Sequence, residues 1–135
     1  MLKDNPYVCA LGRLLVAALF LISGLGKIPA PALTQGYIAS AGLPFPRLAY
    51  LVAIVIEVIG GILLILGYQS RIVASVMAVF TVAAALTFHS HFADQNAMAH
   101  FLKNISITGG LLQIAAFGAG TFSIDGRLAK SRRNG

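Results

Sequence analysis

The sequence predicts an all-α integral membrane protein, a four-helix bundle with a short interfacial segment between its first and second membrane helices. Of its 135 residues, 58% are hydrophobic and only 10% are charged, which is too little polar surface to cover a water-soluble protein. Four stretches approach the roughly 20 apolar residues that cross a bilayer: residues 7–26, 48–66, 72–88 and 104–122. Their apolar residues are continuous rather than alternating, which indicates helices and not barrel strands. We therefore expect a single transmembrane domain over residues 1–135.

The first stretch, residues 7–26, precedes Ala30-Pro31-Ala32, which resembles the cleavage site of a secretory signal. Its apolar run is long for a signal peptide, however, and Arg13 interrupts it. We therefore interpret it as the first membrane helix.

Three connections separate the four spans. The first contains four prolines around the helix-compatible segment "ALTQGYIASA"; the prolines disfavour a continuous helix, so we expect a short helix at the outer interface, or dipping into it as a cap. The second, "GYQSR", is a tight turn that makes the second and third spans antiparallel neighbours. The third, "HSHFADQNAMAHFLK", contains all three histidines and is expected on the outer side.

Lysine and arginine residues outside the spans predict the orientation. With four spans both termini lie on one side of the membrane, and that side carries Lys3, Arg71, Arg127, Lys130, Arg132 and Arg133. The other side carries Lys27, Arg47 and Lys103. Because basic loops are typical of the cytoplasmic side, both termini are predicted to be cytoplasmic. The basic tail, residues 126–135, is expected to interact with anionic lipid rather than with nucleic acid.

Each predicted span has one face that collects its polar residues when it is projected at about 100° per residue. All four polar faces are shielded from lipid only if they turn toward one another inside the bundle. This arrangement predicts a polar interior track. Glu57 lies in the middle of "LVAIVIEVIGGILLIL", where an unpartnered charge costs about 2.5–3.5 kcal/mol. We expect Glu57 to be buried, and to be paired or protonated, with Arg13 as a direct or water-linked partner. An ion pair that only determines which helices meet is the alternative interpretation.

Four further polar residues lie near the outer ends of the spans. Together with Glu57 and Arg13 they form the predicted site for a ligand or a proton: Lys27, His89, Lys103 and Asn104. Lys27 also has an explanation without a ligand: a lysine at the end of a span can extend its side chain to the membrane interface.

The sequence offers little for metal or covalent chemistry. His89, His91 and His100 are close in sequence, but Asp94 is the only carboxylate among them, so we predict no metal site and no haem. Cys9 is the only cysteine, which excludes a disulfide or a Cys-x-x-Cys pair within one chain. No nucleophile elbow, phosphate loop or carboxylate pair is present, so no catalytic residue is assigned.

Taken in order, several stretches resemble the DoxX family of small bacterial membrane proteins: "GRLLVAALFLISGLGK", "YIASAGLP", "EVIGGILLILGYQSR", "FHSHF", "FLKNISITGGLL" and "GAGTFSID". The resemblance extends from about Leu11 to Asp125 and implies four transmembrane helices in the bacterial inner membrane. For some relatives it also implies a link to membrane redox complexes of oxidative-stress defence. His91, His100 and the basic tail are not clear parts of the family pattern.

The leading functional hypothesis is an accessory or binding subunit that holds a small amphipathic molecule, with a quinone as the candidate cofactor, and supports a soluble or membrane redox enzyme. Glu57 would be its acceptor or proton site, and Arg13 the counter-charge. Because the chain shows no redox centre of its own, we do not expect catalysis by the isolated chain. A quinone-reactive oxidoreductase subunit and a small-solute transporter are the alternatives, and assembly into a homo-oligomer remains open.

Overall fold

The computed structural model describes residues 5–135, and the secondary structure of that part of the chain is entirely helical. The helices are α1 (Pro6–Lys27), α2 (Pro31–Ser40), α3 (Pro46–Leu66), α4 (Ser70–Phe88), α5 (Gln95–Phe117) and α6 (Ile124–Asn134). The predicted all-α class is confirmed. Lys3, one of the residues used to predict the orientation, lies outside the described residues.

Three of these helices, α1, α3 and α4, are long and apolar enough to cross a membrane. Helix α5 has 23 residues but is less apolar, because its first half contains His100, Lys103 and Asn104. It begins at Gln95 rather than at Asn104, and it ends at Phe117 rather than at residue 122. The early start follows from Asp94, whose side chain accepts a hydrogen bond from the Asn96 N–H as an N-cap does.

The four long helices pack around a small apolar core. Helix α1 packs against α3 and α5, and α4 packs against the same two helices. The core consists of small and medium-sized side chains: Ala17, Phe20, Leu64, Ala74, Met77, Ala78 and Leu111.

Large apolar side chains cover the outside of the molecule. Leu15, Ile22 and Val79 are 65%, 74% and 72% exposed, and many others are similarly placed. Contiguous apolar surface of this extent is too large for a protein in water. Together with the three apolar helices, it makes this a membrane protein embedded in lipid.

The chain after α5 is folded back onto the α3–α4 turn. Helix α3 ends at Leu66 and is followed by Gly67, whose φ of +68° is the left-handed conformation that favours glycine at a helix C-terminus. The Asp125 carboxylate accepts hydrogen bonds from the N–H groups of Gln69 (2.8 Å) and Ser70 (2.9 Å), at the start of α4. The Asp125 N–H donates to the Gly67 carbonyl. The predicted basic tail is therefore largely helical, since α6 begins at Ile124 behind the N-cap Ser123.

Candidate ligand-binding site

A cavity of about 540 Å³ lies between α1, α3, α4 and α5, at the end of the bundle that α2 covers. Five of the six residues predicted for the site line it: Lys27, Glu57, His89, Lys103 and Asn104. Each of the four long helices or the residue at its end contributes at least one of them. The sixth predicted residue, Arg13, does not line this cavity.

Lys27 and Glu57 form an ion pair in the wall of the cavity. The Lys27 ammonium donates to both carboxylate oxygens, at 3.0 Å to Oε1 and 2.8 Å to Oε2. The Ser23 hydroxyl donates to Oε1 at 3.1 Å, and the Lys27 ammonium lies 2.8 Å from that hydroxyl. Glu57 is only 6% exposed, so these donors replace the water that an ionised carboxylate requires. The prediction that Glu57 is buried and partnered holds, but the partner predicted for it, Arg13, is wrong.

Glu57 lies in a π-helical turn, Val55–Ile59, within α3. Such single turns bulge the helix and are frequent at functional sites. The absence of a side chain at Gly24 lets α1 approach this turn closely, because a Cβ atom there would lie 2.9 Å from the Glu57 Cβ and 3.3 Å from the Val58 nitrogen. The close approach brings Ser23 and Lys27 within hydrogen-bonding distance of the carboxylate.

The end of α1 is fixed by Tyr50 of α3. Its hydroxyl donates to the carbonyl oxygens of Lys27 (2.9 Å) and Ile28 (3.2 Å), and the residue is 7% exposed. These carbonyls have no partner within the helix, as is normal for the last turn. Ser23 and Tyr50 were not among the predicted site residues, although they share helix faces with Lys27 and Glu57. That shared face was the only signal in the sequence for them.

At the cavity mouth, two histidines lie next to a lysine. The rings of His89 and His100 stack with centroids 5.0 Å apart, and the Lys103 ammonium is 3.4 Å from His100 Nδ1. Partial burial lowers the pKa of His89, and the neighbouring His100 and Lys103 lower it further. His89 is therefore neutral at pH 7, so it offers one N–H donor and one acceptor nitrogen.

The remaining walls are mainly apolar. Phe20 of α1, Phe80 of α4 and Ile107 of α5 lie deeper in the bundle than the polar residues on the same helices. Helix α2 closes the outer end with Thr34, Tyr37 and Ile38. The Tyr37 ring stacks on Phe88 of α4 at 5.1 Å. The cavity thus has a polar outer end and an apolar inner end.

Arg13 lies at the other end of the bundle. Its Nη2 donates to the Phe122 carbonyl at 2.6 Å, and Asp125 is a nearby negative charge. The side chain is 3% exposed, and its Nε and Nη1 have no hydrogen-bond partner among the described residues. The hydrogen bond to Phe122 connects α1 to the segment between α5 and α6.

A second cavity of about 590 Å³ borders Arg13, Cys9, Gln113 and Thr121. On α1, the buried core residue Ala17 lies between Val16, which lines the second cavity, and Phe20, which lines the first. The polar interior track predicted from the helix projections is therefore not continuous. Part of the polar face of α5 also points outward, since Ser106 and Gln113 are exposed.

Comparison with known proteins places the chain among bacterial membrane proteins. A family model described as DoxX matches residues 8–90. The chain is 39% identical to "Inner membrane protein YqjF" of Escherichia coli (strain K12) over 118 residues, which cover 87% of this chain and 89% of that protein. It is 35% identical to "Inner membrane protein YphA" of the same organism over 129 residues, which cover 91% of each. No solved structure matches the chain significantly.

Proposed function

The chain belongs to the DoxX family, and we propose that it is a non-catalytic subunit of the bacterial inner membrane that binds a small amphipathic molecule between its helices. The location follows from the two relatives, whose names describe inner membrane proteins, and from the apolar exterior. The proposal concerns the cavity under α2.

One observation carries the proposal: the cavity of about 540 Å³ has hydrogen-bonding groups at its outer end and apolar side chains at its inner end. Ligand sites are typically concave and mostly apolar, with volumes of about 300–1,000 Å³ and a few converging polar groups. An amphipathic molecule would place its head beside Lys103, Asn104 and His89. Its tail would contact Phe20, Phe80 and Ile107.

In the proposed membrane frame, α5 is a fourth span and both termini are cytoplasmic. The polar residues in the first half of α5 would then line the cavity or lie at the outer boundary. This placement puts the cavity mouth at the outer face, where a molecule could enter from the outer leaflet.

A quinone is the proposed cofactor, since its carbonyl oxygens are acceptors that Lys103, Asn104 and His89 could satisfy. A bound quinone would exchange electrons with a partner redox enzyme, while this chain supplies the binding site. Supporting such an enzyme is the proposed physiological role.

The packing of the core favours binding over transport. Ala17, Leu64, Met77 and Leu111, one from each long helix, are buried in the core. Passage of a solute would require these helices to separate, whereas binding requires only the space already present.

The proposal is tested by identifying the molecules that the protein retains. Wild type, Ala84→Phe and Val79→Phe would be extracted in a mild detergent, and the bound molecules analysed by mass spectrometry. Ala84 lines the cavity, so a phenylalanine there fills it. Val79 is 72% exposed and serves as the control for an added ring on the same helix.

We expect wild type and Val79→Phe to retain a specific amphipathic molecule that Ala84→Phe loses. If all three proteins release the same bulk lipids and nothing else, the binding function is refuted.

A further inference from the structure

The charges around the cavity do not balance. Lys27 and Glu57 neutralise each other at 2.8 Å. Lys103 also lines the cavity, and Lys27–Glu57 is the one ion pair that the described part of the chain contains. The cavity lining therefore carries one positive charge for which residues 5–135 provide no anionic partner.

The other polar groups at the mouth also favour an acceptor. The Asn104 side chain makes no hydrogen bond within the described structure, whereas its backbone carbonyl accepts one from Thr108. Asn104 and Lys103 are adjacent on α5, and His89 lies across the mouth at the end of α4. By contrast, the Glu57 oxygens already accept three hydrogen bonds. The Glu57 acceptors are thus occupied, whereas the Lys103 ammonium, which lies 3.4 Å from His100 Nδ1, has further N–H donors, and the Asn104 amide has N–H donors as well.

The depth of these groups fixes how a ligand would lie. Lys103 and Asn104 are one helical turn further out than Ile107, which lines the apolar part with Phe20 and Phe80. A charged head beside Lys103 would remain near the interface, where the energetic cost of a charge is lower than at the bilayer centre. The apolar chain of the ligand would extend inward, toward Phe20, Phe80 and Ile107.

We infer that the molecule held in this cavity is an anionic amphipath, with a single carboxylate-like head bound by Lys103 and Asn104 and an apolar chain between α1, α4 and α5. The inference rests on the proposed binding function and replaces the quinone proposed above by a molecule with a charged head, because a neutral quinone would leave the Lys103 charge unmatched. Charge-assisted hydrogen bonds of the kind that Lys103 would donate are roughly twice as strong as neutral ones.

Two probes that share an alkyl chain and differ only in the head group test the inference: dodecanoate and dodecanol. Binding of each would be titrated to the purified full-length protein in lipid nanodiscs at pH 8, with empty nanodiscs subtracted, and followed by native mass spectrometry. Wild type should bind dodecanoate about 10-fold or more tightly than dodecanol, as one net charge-assisted hydrogen bond implies.

Lys103→Gln should reduce this preference to about 2-fold or less, because a neutral amide replaces the ammonium. Lys103 is exposed, so the substitution should not affect folding, and an unchanged melting temperature would verify this. Lys130→Gln removes an equal charge from α6, remote from the cavity, and should preserve the full preference.

The outcomes separate the inference from the function on which it rests. If the two probes bind wild type equally while the gently extracted protein retains a neutral amphipath, the anionic head is refuted and the binding function stands. If Lys130→Gln abolishes the preference as completely as Lys103→Gln, the attraction is a general surface effect and the assigned site is refuted. If neither probe binds and nothing is retained, both proposals are refuted.

Discussion

Glu57 keeps a carboxylate within an apolar helix because its immediate neighbours replace water. The Lys27 ammonium and the Ser23 hydroxyl provide three hydrogen bonds to its two oxygens. The Glu57 side chain is 8% exposed and the Lys27 side chain 27%. Both residues line the cavity, and Lys27 is the more exposed of the two. The pair combines a structural contact between α1 and α3 with a polar wall for the cavity.

Breaking this pair should destabilise the protein strongly. Lys27→Met leaves Glu57 buried without its charged partner, and we expect a loss of about 2–4 kcal/mol in the free energy of unfolding, since unpaired buried charges cost several kcal/mol. Reversible unfolding in mixed micelles would measure it. Lys130→Met on α6 is the matched control and should change stability by less than about 0.5 kcal/mol, as is usual for surface positions.

The double variant Lys27→Met/Glu57→Leu provides a further check. Replacing both partners by apolar residues should recover much of the stability, because no buried charge remains unmatched. A Lys27→Met protein as stable as Lys130→Met would contradict the importance of the pair.

The titration of His89 tests the charge of Lys103 directly. Burial, His100 and Lys103 all lower the pKa of His89, so its NMR titration should occur below the ordinary histidine value of about 6.5. Lys103→Gln should move the midpoint upward, and Lys130→Gln should not. Because the unfolded chain binds this proton more readily, His89 should make the folded state less stable as the pH falls below about 6.5. An unchanged midpoint in Lys103→Gln would show that the ammonium is not near the ring.

The sequence was sufficient to predict five of the residues that line the cavity, but not Ser23 and not the partner of Glu57. Helix periodicity placed Glu57 on an inward face. Position along the spans placed four residues near the outer ends: Lys27, His89, Lys103 and Asn104. The partner of Glu57 depends on how far α1 and α3 slide along each other. Arg13 lies about ten residues, or roughly 15 Å, beyond Glu57 along the bundle axis, next to Gly67. Periodicity within single helices does not contain that offset.

At the scale of the elements, two glycines set the offset between α1 and α3. A Cβ atom on Gly24 would lie 2.8 Å from the Val58 side chain, and one on Gly61 would lie 2.8 Å from the Leu21 side chain. Small residues at such contacts allow helix backbones to approach closely in lipid. A glycine in an apolar span indicates a close contact, but the sequence does not say which residue of the other helix it faces.

Gly24→Ala should therefore disturb the site, whereas Gly26→Ala should not. The added methyl at Gly24 meets the Glu57 Cβ and the Val58 backbone, so α3 must shift, and we expect a loss of about 1–3 kcal/mol, as is typical of overpacking. Nothing lies within 4 Å of a Cβ at Gly26, so alanine there should be neutral or slightly stabilising. Unfolding measurements on both variants, with retention of the bound molecule as a second readout, would show the difference. Equal behaviour of the two alanine variants would refute the close contact as the feature that positions Glu57.

The helices at the C-terminal end were predicted less well, for a local reason. Polar composition suggested a loop from His89 to Lys103, but Asp94 starts a helix there by capping Asn96. Charge composition suggested a tail from residue 126, but the Ser123 hydroxyl accepts a hydrogen bond from the Gly126 N–H and starts α6. Caps of one or two residues outweigh composition over short segments.

At the scale of the whole molecule, an apolar middle separates two polar ends. Lys27, Glu57 and Lys103 lie at the end under α2, and Arg13 and Asp125 lie at the end where α6 folds back. The outer surface between them is mostly apolar, with the exception of exposed Ser106 and Gln113 on α5. Whether α5 crosses the bilayer determines which compartment each polar end meets, so the topology is the property on which the physiological interpretation depends.

Thiol labelling in spheroplasts tests this topology. In a Cys9→Ser background, which removes the only cysteine, Ser90→Cys precedes α5 and Ser131→Cys follows it, and both positions are exposed. If α5 is a span and the termini are cytoplasmic, a membrane-impermeant maleimide should label Ser90→Cys in intact spheroplasts and Ser131→Cys only after permeabilisation. Labelling of both after denaturation controls for thiol reactivity. Equal accessibility of the two positions in intact spheroplasts would show that α5 does not cross. The reverse pattern would preserve four spans and invert the orientation. The basic residues near the C-terminus would then lie outside, against the usual charge bias.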